Sequence, residues 1–515
     1  MAKAIMLQGT SSHVGKSVLT AALCRIFRQD GFAAVPFKAQ NMALNSYVTP
    51  SGEEMGRAQV AQAEAAGLPP AVEMNPVLLK PVGNARSQVI LMGRPVATLT
   101  AKEYHEQFAP TALNVIEQCL EKLHAGHEII VIEGAGSPAE VNLKKTDIVN
   151  MRIARMAPSP VLLVADIDRG GALAAVVGTL ELLEPAERDM VAGIIINKFR
   201  GDMALLKPGL EFLEQRTGKP VIGVIPYFQG LRIAEEDSVS LDAKLQRGER
   251  EDLLEIAVLR TPKIANFTDF DPLEDEPDVF LRYVNTGEEI GRPDLLLLAG
   301  SKNTIEDLLY IKEQGYAREI IDLVKAGMPV IGICGGYQML GREIHDPYHT
   351  ETDQDRIDGL GLLPTSTTFA REKTTHQIEA DSAGCGLFGE SIITGQLTGY
   401  EIHTGHTDFL DEVAHPFHIT RRSRLPVDIQ DGVMRADGLV MGTYIHGIFE
   451  NDLFRRSILN QLRVHKGWQA IPASGPSTRR QKEDSYDKLA ATVRRNIDLP
   501  KLYQLMELTP GGING

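Results

Sequence analysis

The sequence predicts an α/β protein with two successive parallel-sheet domains and a helical C-terminal segment. Three observations carry this reading. Short β-rich runs alternate with helical stretches over about residues 1–235, a second alternating series starts near residue 253, and beyond 450 the apolar pattern is helical. In the first series the strand candidates are residues 4–8, 33–37, 128–132, 161–165, 192–196 and 221–225, with helical periodicity between them, as at 18–28 and 113–123. Such alternation calls for a parallel sheet covered by helices. Residues 227–250 are polar and charged, and 236–252 read as a linker. The second series has strand candidates at 255–259, 295–299, 330–333 and 439–444. In the last segment Tyr486, Leu489, Ala490, Val493 and Ile497 recur at helical spacing, which predicts a helix covering a core. The domains expected are 1–235, 253–450 and 451–515.

Composition excludes several classes. The chain has 515 residues, 43% hydrophobic and 23% charged, enough apolar matter for sizeable cores. Its formal charge of −15 argues against a general binder of nucleic acid or of anionic membranes. No apolar run approaches the ~18 residues that span a bilayer, and the N-terminus lacks the apolar core and cleavage site of a signal peptide. The four cysteines, Cys24, Cys119, Cys334 and Cys385, form no Cys-x-x-Cys pair. A reduced, cytoplasmic protein is expected.

The first predicted strand runs into Gly9-Thr10-Ser11-Ser12-His13-Val14-Gly15-Lys16-Ser17 and then a helix. A glycine loop in that context turns backbone N–H groups toward phosphates at the positive end of the helix. Gly9, Thr10 and Gly15 shape the loop, Lys16 neutralises phosphate charge, and Ser17 is placed to hold Mg²⁺. Five residues, Thr10 to Val14, separate the glycines where four are usual. This spacing resembles the dethiobiotin synthetase-like branch of phosphate-loop proteins. A metal also needs a carboxylate. Glu133, closing a predicted strand before Gly134-Ala135-Gly136, is the first candidate, and Glu54 is the second. Asn197, closing another strand, resembles the adenine-reading Asn of the same branch.

The predicted strand 330–333 ends in Cys334-Gly335-Gly336-Tyr337-Gln338. This is a strand–nucleophile–helix elbow with a thiol where hydrolases place a hydroxyl. The N–H groups near Gly335 are positioned to receive a developing oxyanion. A thiolate nucleophile needs a base. His446, at a strand edge before Gly447, is favoured over His403 and His406, because its pattern resembles the His of class I, triad-type glutamine amidotransferases. That class carries Glu two residues later, whereas Ile448 stands here. The residues therefore support a Cys–His pair, with the third member, Glu450 or another acid, left open.

Together the two sites suggest a division of labour. One hydrolyses glutamine to ammonia through a thioester. The other uses ATP to activate a carboxylate, as an acyl phosphate, for attack by ammonia along an enclosed path between the domains.

Longer blocks make the resemblance specific. Phe37-Lys38-Ala39-Gln40-Asn41-Met42-Ala43-Leu44-Asn45-Ser46, Glu54-Met55-Gly56-Arg57-Ala58-Gln59, Met74-Asn75-Pro76-Val77-Leu78-Leu79-Lys80-Pro81, Asp166-Ile167-Asp168-Arg169-Gly170-Gly171, Asn197-Lys198-Phe199-Arg200-Gly201-Asp202 and Gly300-Ser301-Lys302-Asn303-Thr304 are similar to the cobyric acid synthase family. The similarity runs over about residues 3–505. It implies a dethiobiotin synthetase-like phosphate-loop ligase domain followed by a flavodoxin-like class I amidotransferase domain. It implies ATP, Mg²⁺ and glutamine, and amidation of the b, d, e and g carboxylates of adenosylcobyrinic acid a,c-diamide to adenosylcobyric acid, a step of cobalamin biosynthesis. Gly300 then joins Gly335 at the oxyanion and glutamine site. The partner implied is a corrinoid, with no nucleic acid and no membrane; no residue pattern sets an oligomeric state. A polyanionic corrinoid meeting a chain of charge −15 requires locally concentrated cations. Lys38, Arg57, Lys80, Lys144, Lys145 and Arg169 are the candidates.

Overall fold

The computed structural model describes residues 2–83, 85–228, 252–392, 394–473 and 477–509. Most of the expected linker 236–252 lies outside the described residues.

The first sheet is parallel. Its strands are β1 (Lys3–Gly9), β2 (Ala34–Phe37), β3 (Ile129–Glu133), β4 (Val161–Asp166), β5 (Val191–Phe199) and β6 (Val221–Pro226), in the spatial order β6-β5-β4-β1-β3-β2. β1 lies between β3 and β4, where the strand order reverses, so the loop after it opens at a switch point where α/β sheets bind ligands. Apolar side chains on both faces of β1 are buried: Met6 packs toward one cluster and Ile5 and Leu7 toward the other. Continuous burial of this kind is what a helix-covered parallel strand requires. Helix α1 (Lys16–Gln29) follows the loop, and α2 (Arg57–Ala66) packs beside it. Between them the chain adds the short antiparallel pair Ser46–Val48 with Glu54–Gly56. Farther on, Val77–Gly83, Arg86–Leu91 and Arg94–Thr100 form an antiparallel extension.

The second sheet contains β7 (Leu254–Leu259), β8 (Val279–Val284), β9 (Leu295–Leu298), β10 (Val330–Ile333), β11 (Val433–Met434) and β12 (Val440–Thr443). Their order is β8-β7-β9-β10-β12-β11, parallel except at the β11 edge. Leaving out that edge, this is the flavodoxin-like order 2-1-3-4-5. Helices α3 (Thr304–Glu313) and α4 (Gly335–Leu340) follow β9 and β10. An antiparallel layer inserted before β11 is built on the long hairpin Thr365–Ser382 with Gln396–Phe409.

The C-terminal helices divide between the domains. α5 (Asp452–His465) packs on the second domain through Phe454, Ile458, Leu459 and Leu462. α6 (Thr478–Asn496) and α7 (Leu499–Leu505) return to the first domain, where Tyr486, Leu489, Ala490, Val493 and Ile497 join the core under α1. The helical stripe read from the sequence is the buried face of α6. No helix among the described residues is long and apolar enough to cross a membrane.

Candidate active site

Cys334 follows β10 with φ 53° and ψ −107°, a left-handed backbone that a side-chain-bearing residue adopts only under constraint. The constraint is visible on both sides. Its N–H donates to Thr443 O at 2.8 Å, and its carbonyl accepts from Gln338 N at 3.0 Å, the first turn of α4. At Gly336 an added Cβ would fall 2.1 Å from Leu298 O, so only glycine lets α4 sit this close to β9. The thiol is buried and contacts Ile402 O at 3.5 Å.

His446 follows β12 and is 1% exposed. Its Nδ1 lies 2.6 Å from Asp269 Oδ2, while Gly447 N donates to Asp269 Oδ1 at 3.0 Å. Tyr400 stacks on the ring at 5.1 Å and exchanges backbone hydrogen bonds with His446. With Nδ1 committed, Nε2 is left without a nitrogen or oxygen partner among the described residues, and Cys334 is the neighbour it interacts with. Burial opposes charge on the ring, but the Asp269 carboxylate and the Cys334 sulfur outweigh it and raise the pKa to about 10. His446 can therefore hold the proton that a nucleophilic thiol gives up.

Asp269 is the residue that sequence reasoning missed. It lies in the turn Phe267–Phe270, 4% exposed, and occupies the orienting role that Ile448 cannot fill. Glu450 is engaged elsewhere, pairing with Arg57 and Lys482 at 2.9 Å each. Of the competing histidines, His403 bonds Gly405 O through Nδ1 and stacks on Tyr444, and His406 sits on the surface beside Asp408. Gly300 and Gly335 both face the site: an added Cβ would meet His446 Cε1 at 3.1 Å and Ser301 N at 2.8 Å respectively.

Cys334, His446 and Gly300 line an open cleft, walled by Lys302, Thr304, Gln338 and Glu351 and, from the first domain, by Lys80 and Gln88. The thiol site thus opens at the domain boundary. Beside it Lys80 and Lys373 take the two oxygens of Glu54 at 2.8 and 2.6 Å. Asn266 Oδ1 accepts from Ser46 N at 2.9 Å, and the Tyr400 hydroxyl donates to Ser46 O at 3.2 Å, further tying the domains.

The phosphate loop is the second centre. Lys16 Nζ donates to Ser11 O and Gly136 O at 3.1 Å each, curling the loop around its ammonium. Gly9 and Gly15 hold the bend; Gly15 has φ 96°, and an added Cβ would fall 2.2 Å from Asn197 Nδ2. Asn197 Nδ2 donates to Val14 O at 2.8 Å, while its buried Oδ1 has no partner among the described residues. Thr10 N donates to Val164 O at 2.9 Å, fixing the loop's start on β4. The Ser17 hydroxyl donates to Glu133 Oε1 at 2.8 Å, and that carboxylate also receives Lys38 at 2.9 Å and Gln62 at 2.5 Å. A hydroxyl and a carboxylate beside a phosphate loop form the hard-oxygen donor set that suits Mg²⁺. Burial works against ionised Glu133, but Lys38, Gln62 and Ser17 lower its pKa. Glu54 is not brought to this pair; it belongs to the domain boundary.

Comparison with known proteins follows the same division. Residues 5–241 match a profile described as "CobQ/CobB/MinD/ParA nucleotide binding domain", and residues 255–454 match "CobB/CobQ-like glutamine amidotransferase domain". The "Cobyric acid synthase" of Pelotomaculum thermopropionicum is 56% identical, covering 99% of this chain and 98% of that protein. That of Moorella thermoacetica is also 56% identical, over 99% and 98%. The chain belongs to the cobyric acid synthase family. It is a glutamine amidotransferase-type carbon–nitrogen ligase with a nucleotide-binding domain.

Membership focuses attention on the six candidate cations. Lys38, Arg57 and Lys80 are buried against Glu133, Glu450 and Glu54. Lys144 pairs with Glu187 at 2.7 Å. Lys145 is exposed, and Arg169 keeps a side chain 66% exposed beside Asp166. These two are the most exposed of the six and the freest to meet an anionic partner.

Proposed function

We propose that the chain amidates the b, d, e and g carboxylates of adenosylcobyrinic acid a,c-diamide, using ATP and glutamine, to give adenosylcobyric acid. The observation that carries the reading is the Cys334–His446–Asp269 constellation opening at the boundary with a phosphate-loop domain. Asp269 orients the imidazole so that Nε2 faces the nucleophile. Cys334 sulfur attacks the glutamine carboxamide carbon, N–H groups near Gly335 and Gly300 receive the oxyanion, and His446 gives its proton to the departing nitrogen. Water then hydrolyses the thioester to glutamate. In the first domain the Gly9–Ser17 loop holds the triphosphate, Lys16 balances its charge, and Asn197 Oδ1, without a partner among the described residues, is available to the base. Ser17 and Glu133 would hold Mg²⁺, which neutralises phosphate charge when bound. Phosphoryl transfer makes the corrinoid carboxylate an acyl phosphate, and ammonia displaces the phosphate. Enclosure between domains keeps ammonia from bulk water, where it would be protonated. Dependence on ATP and a free thiol supports a cytoplasmic location.

The test is incubation with cobyrinic acid a,c-diamide, ATP, Mg²⁺ and glutamine, with products resolved by mass. Four successive amidations are expected. Activity on cobyrinic acid but none on its a,c-diamide would contradict the substrate assignment.

A further inference from the structure

The cleft holds more charge than the chemistry at Cys334 uses. Its walls carry Lys80, Lys302, Lys373 and Glu351, with Glu54 directly behind them. Glu54 takes both Lys80 and Lys373. That leaves Lys302 and Glu351. The Lys302 ammonium makes no hydrogen bond or ion pair among the described residues, and Glu351 has no cation within ion-pair distance there; its Oε2 accepts from Ile305 N at 3.2 Å. Both residues are fixed by their backbones. Lys302 N donates to Lys263 O at 2.9 Å, and Asn303 Nδ2 donates to Glu351 O at 3.1 Å. The neighbouring Ser301 backbone lies against Gly335, so Lys302 stands one residue from the contact with the nucleophile turn. A half-buried cation and a half-buried anion, neither in an ion pair among the described residues and both lining one cleft, fit a zwitterion.

We propose that Lys302 and Glu351 bind the α-carboxylate and the α-ammonium of the glutamine whose carboxamide reaches Cys334. The proposal rests on the glutaminase reading above and deepens it. It makes the two residues determinants of specificity for an amino acid rather than for a simple amide. Their electrostatics agree. Burial, followed by the charges of Lys373 and Lys80, pulls Lys302 down to about 7, and burial pushes Glu351 up to about 8 despite Lys302. Each feels the other's charge but holds no hydrogen-bonded counter-charge among the described residues, and the glutamine head group supplies both.

The test compares kcat/KM for hydrolysis of three amides: glutamine, glutaramate, which lacks the α-amino group, and 4-aminobutanamide, which lacks the α-carboxylate. The parent protein should prefer glutamine over each by about 10²-fold or more, because a missing group leaves a charge in the cleft unpaired. In Glu351→Gln the preference over glutaramate should fall below about 10-fold while that over 4-aminobutanamide stays. In Lys302→Met the pattern should reverse. A merely structural role would not separate the two ratios. A parent protein that hydrolyses glutaramate as well as glutamine would overturn the proposal without any variant. So would variants whose two ratios move together or not at all. Glutamine hydrolysis that survives in Cys334→Ala would instead strike the underlying glutaminase reading.

Discussion

Cys334 and His446 show how much chemistry a residue inherits from its backbone position. Both end buried parallel strands, and glycine-rich turns aim them into one cleft. That part was legible in the sequence, because an elbow is a local pattern. Asp269 was not, because it lies 177 residues from His446 in a short turn without a glycine signature. Only the fold brings them together. Asp269→Asn should lower glutamine-dependent kcat/KM by about 10²- to 10⁴-fold, measured as glutamate release, because the base loses its orientation and counter-charge. The same pair sets a pH dependence. His446 is raised from 6.5 to about 10, so the folded state binds the extra proton between those values. Its stabilisation is complete below about 6.5 and is lost as pH rises through about 10. The Tm gap between the parent and Asp269→Asn should therefore narrow across that window.

At the scale of elements, the strands flanking both sites were readable as apolar runs, and α6 was readable as a stripe. Where α6 docks was not, because periodicity describes one face and not its partner. It covers α1, the helix that carries Lys16 and Ser17 at its start. Leu489 is 1% exposed in that joint. Leu489→Ala should cost about 2–5 kcal/mol in denaturant unfolding and weaken nucleotide binding. β8 escaped the sequence reading because Arg282 breaks its apolar run; the fold accommodates that residue by pairing it with Glu255 at 2.6 Å. The antiparallel layer escaped for a related reason: the hairpin strand Thr365–Ser382 is polar along much of its length and half-buried, so its period-2 signal is weak.

At the scale of the whole molecule, charge is organised inward. Cations that the sequence suggested for substrate contact turn inward instead: Arg57 joins the domains through Glu450, and Lys80 pairs within the first domain with Glu54, which Lys373 reaches from the second. Composition gave net charge but not which cations turn in. Glu54 is the centre of this joint. Burial disfavours its charge, but Lys373 and Lys80 hold its carboxyl well below the usual range. The stabilisation is present above its ordinary value of 4.5 and is lost as pH falls below it. Glu54→Gln leaves two buried lysines without their carboxylate and should cost about 3–5 kcal/mol at neutral pH. Unfolding titrations should show that loss shrinking under acid conditions. Two centres meeting at such a joint imply separable half-reactions. The most direct measurement is corrinoid amidation by Cys334→Ala, with ATP and either glutamine or ammonium as nitrogen source. The account predicts no product from glutamine and parent-like product from ammonium. Amidation from glutamine, or its loss from both sources in a folded protein, would contradict it.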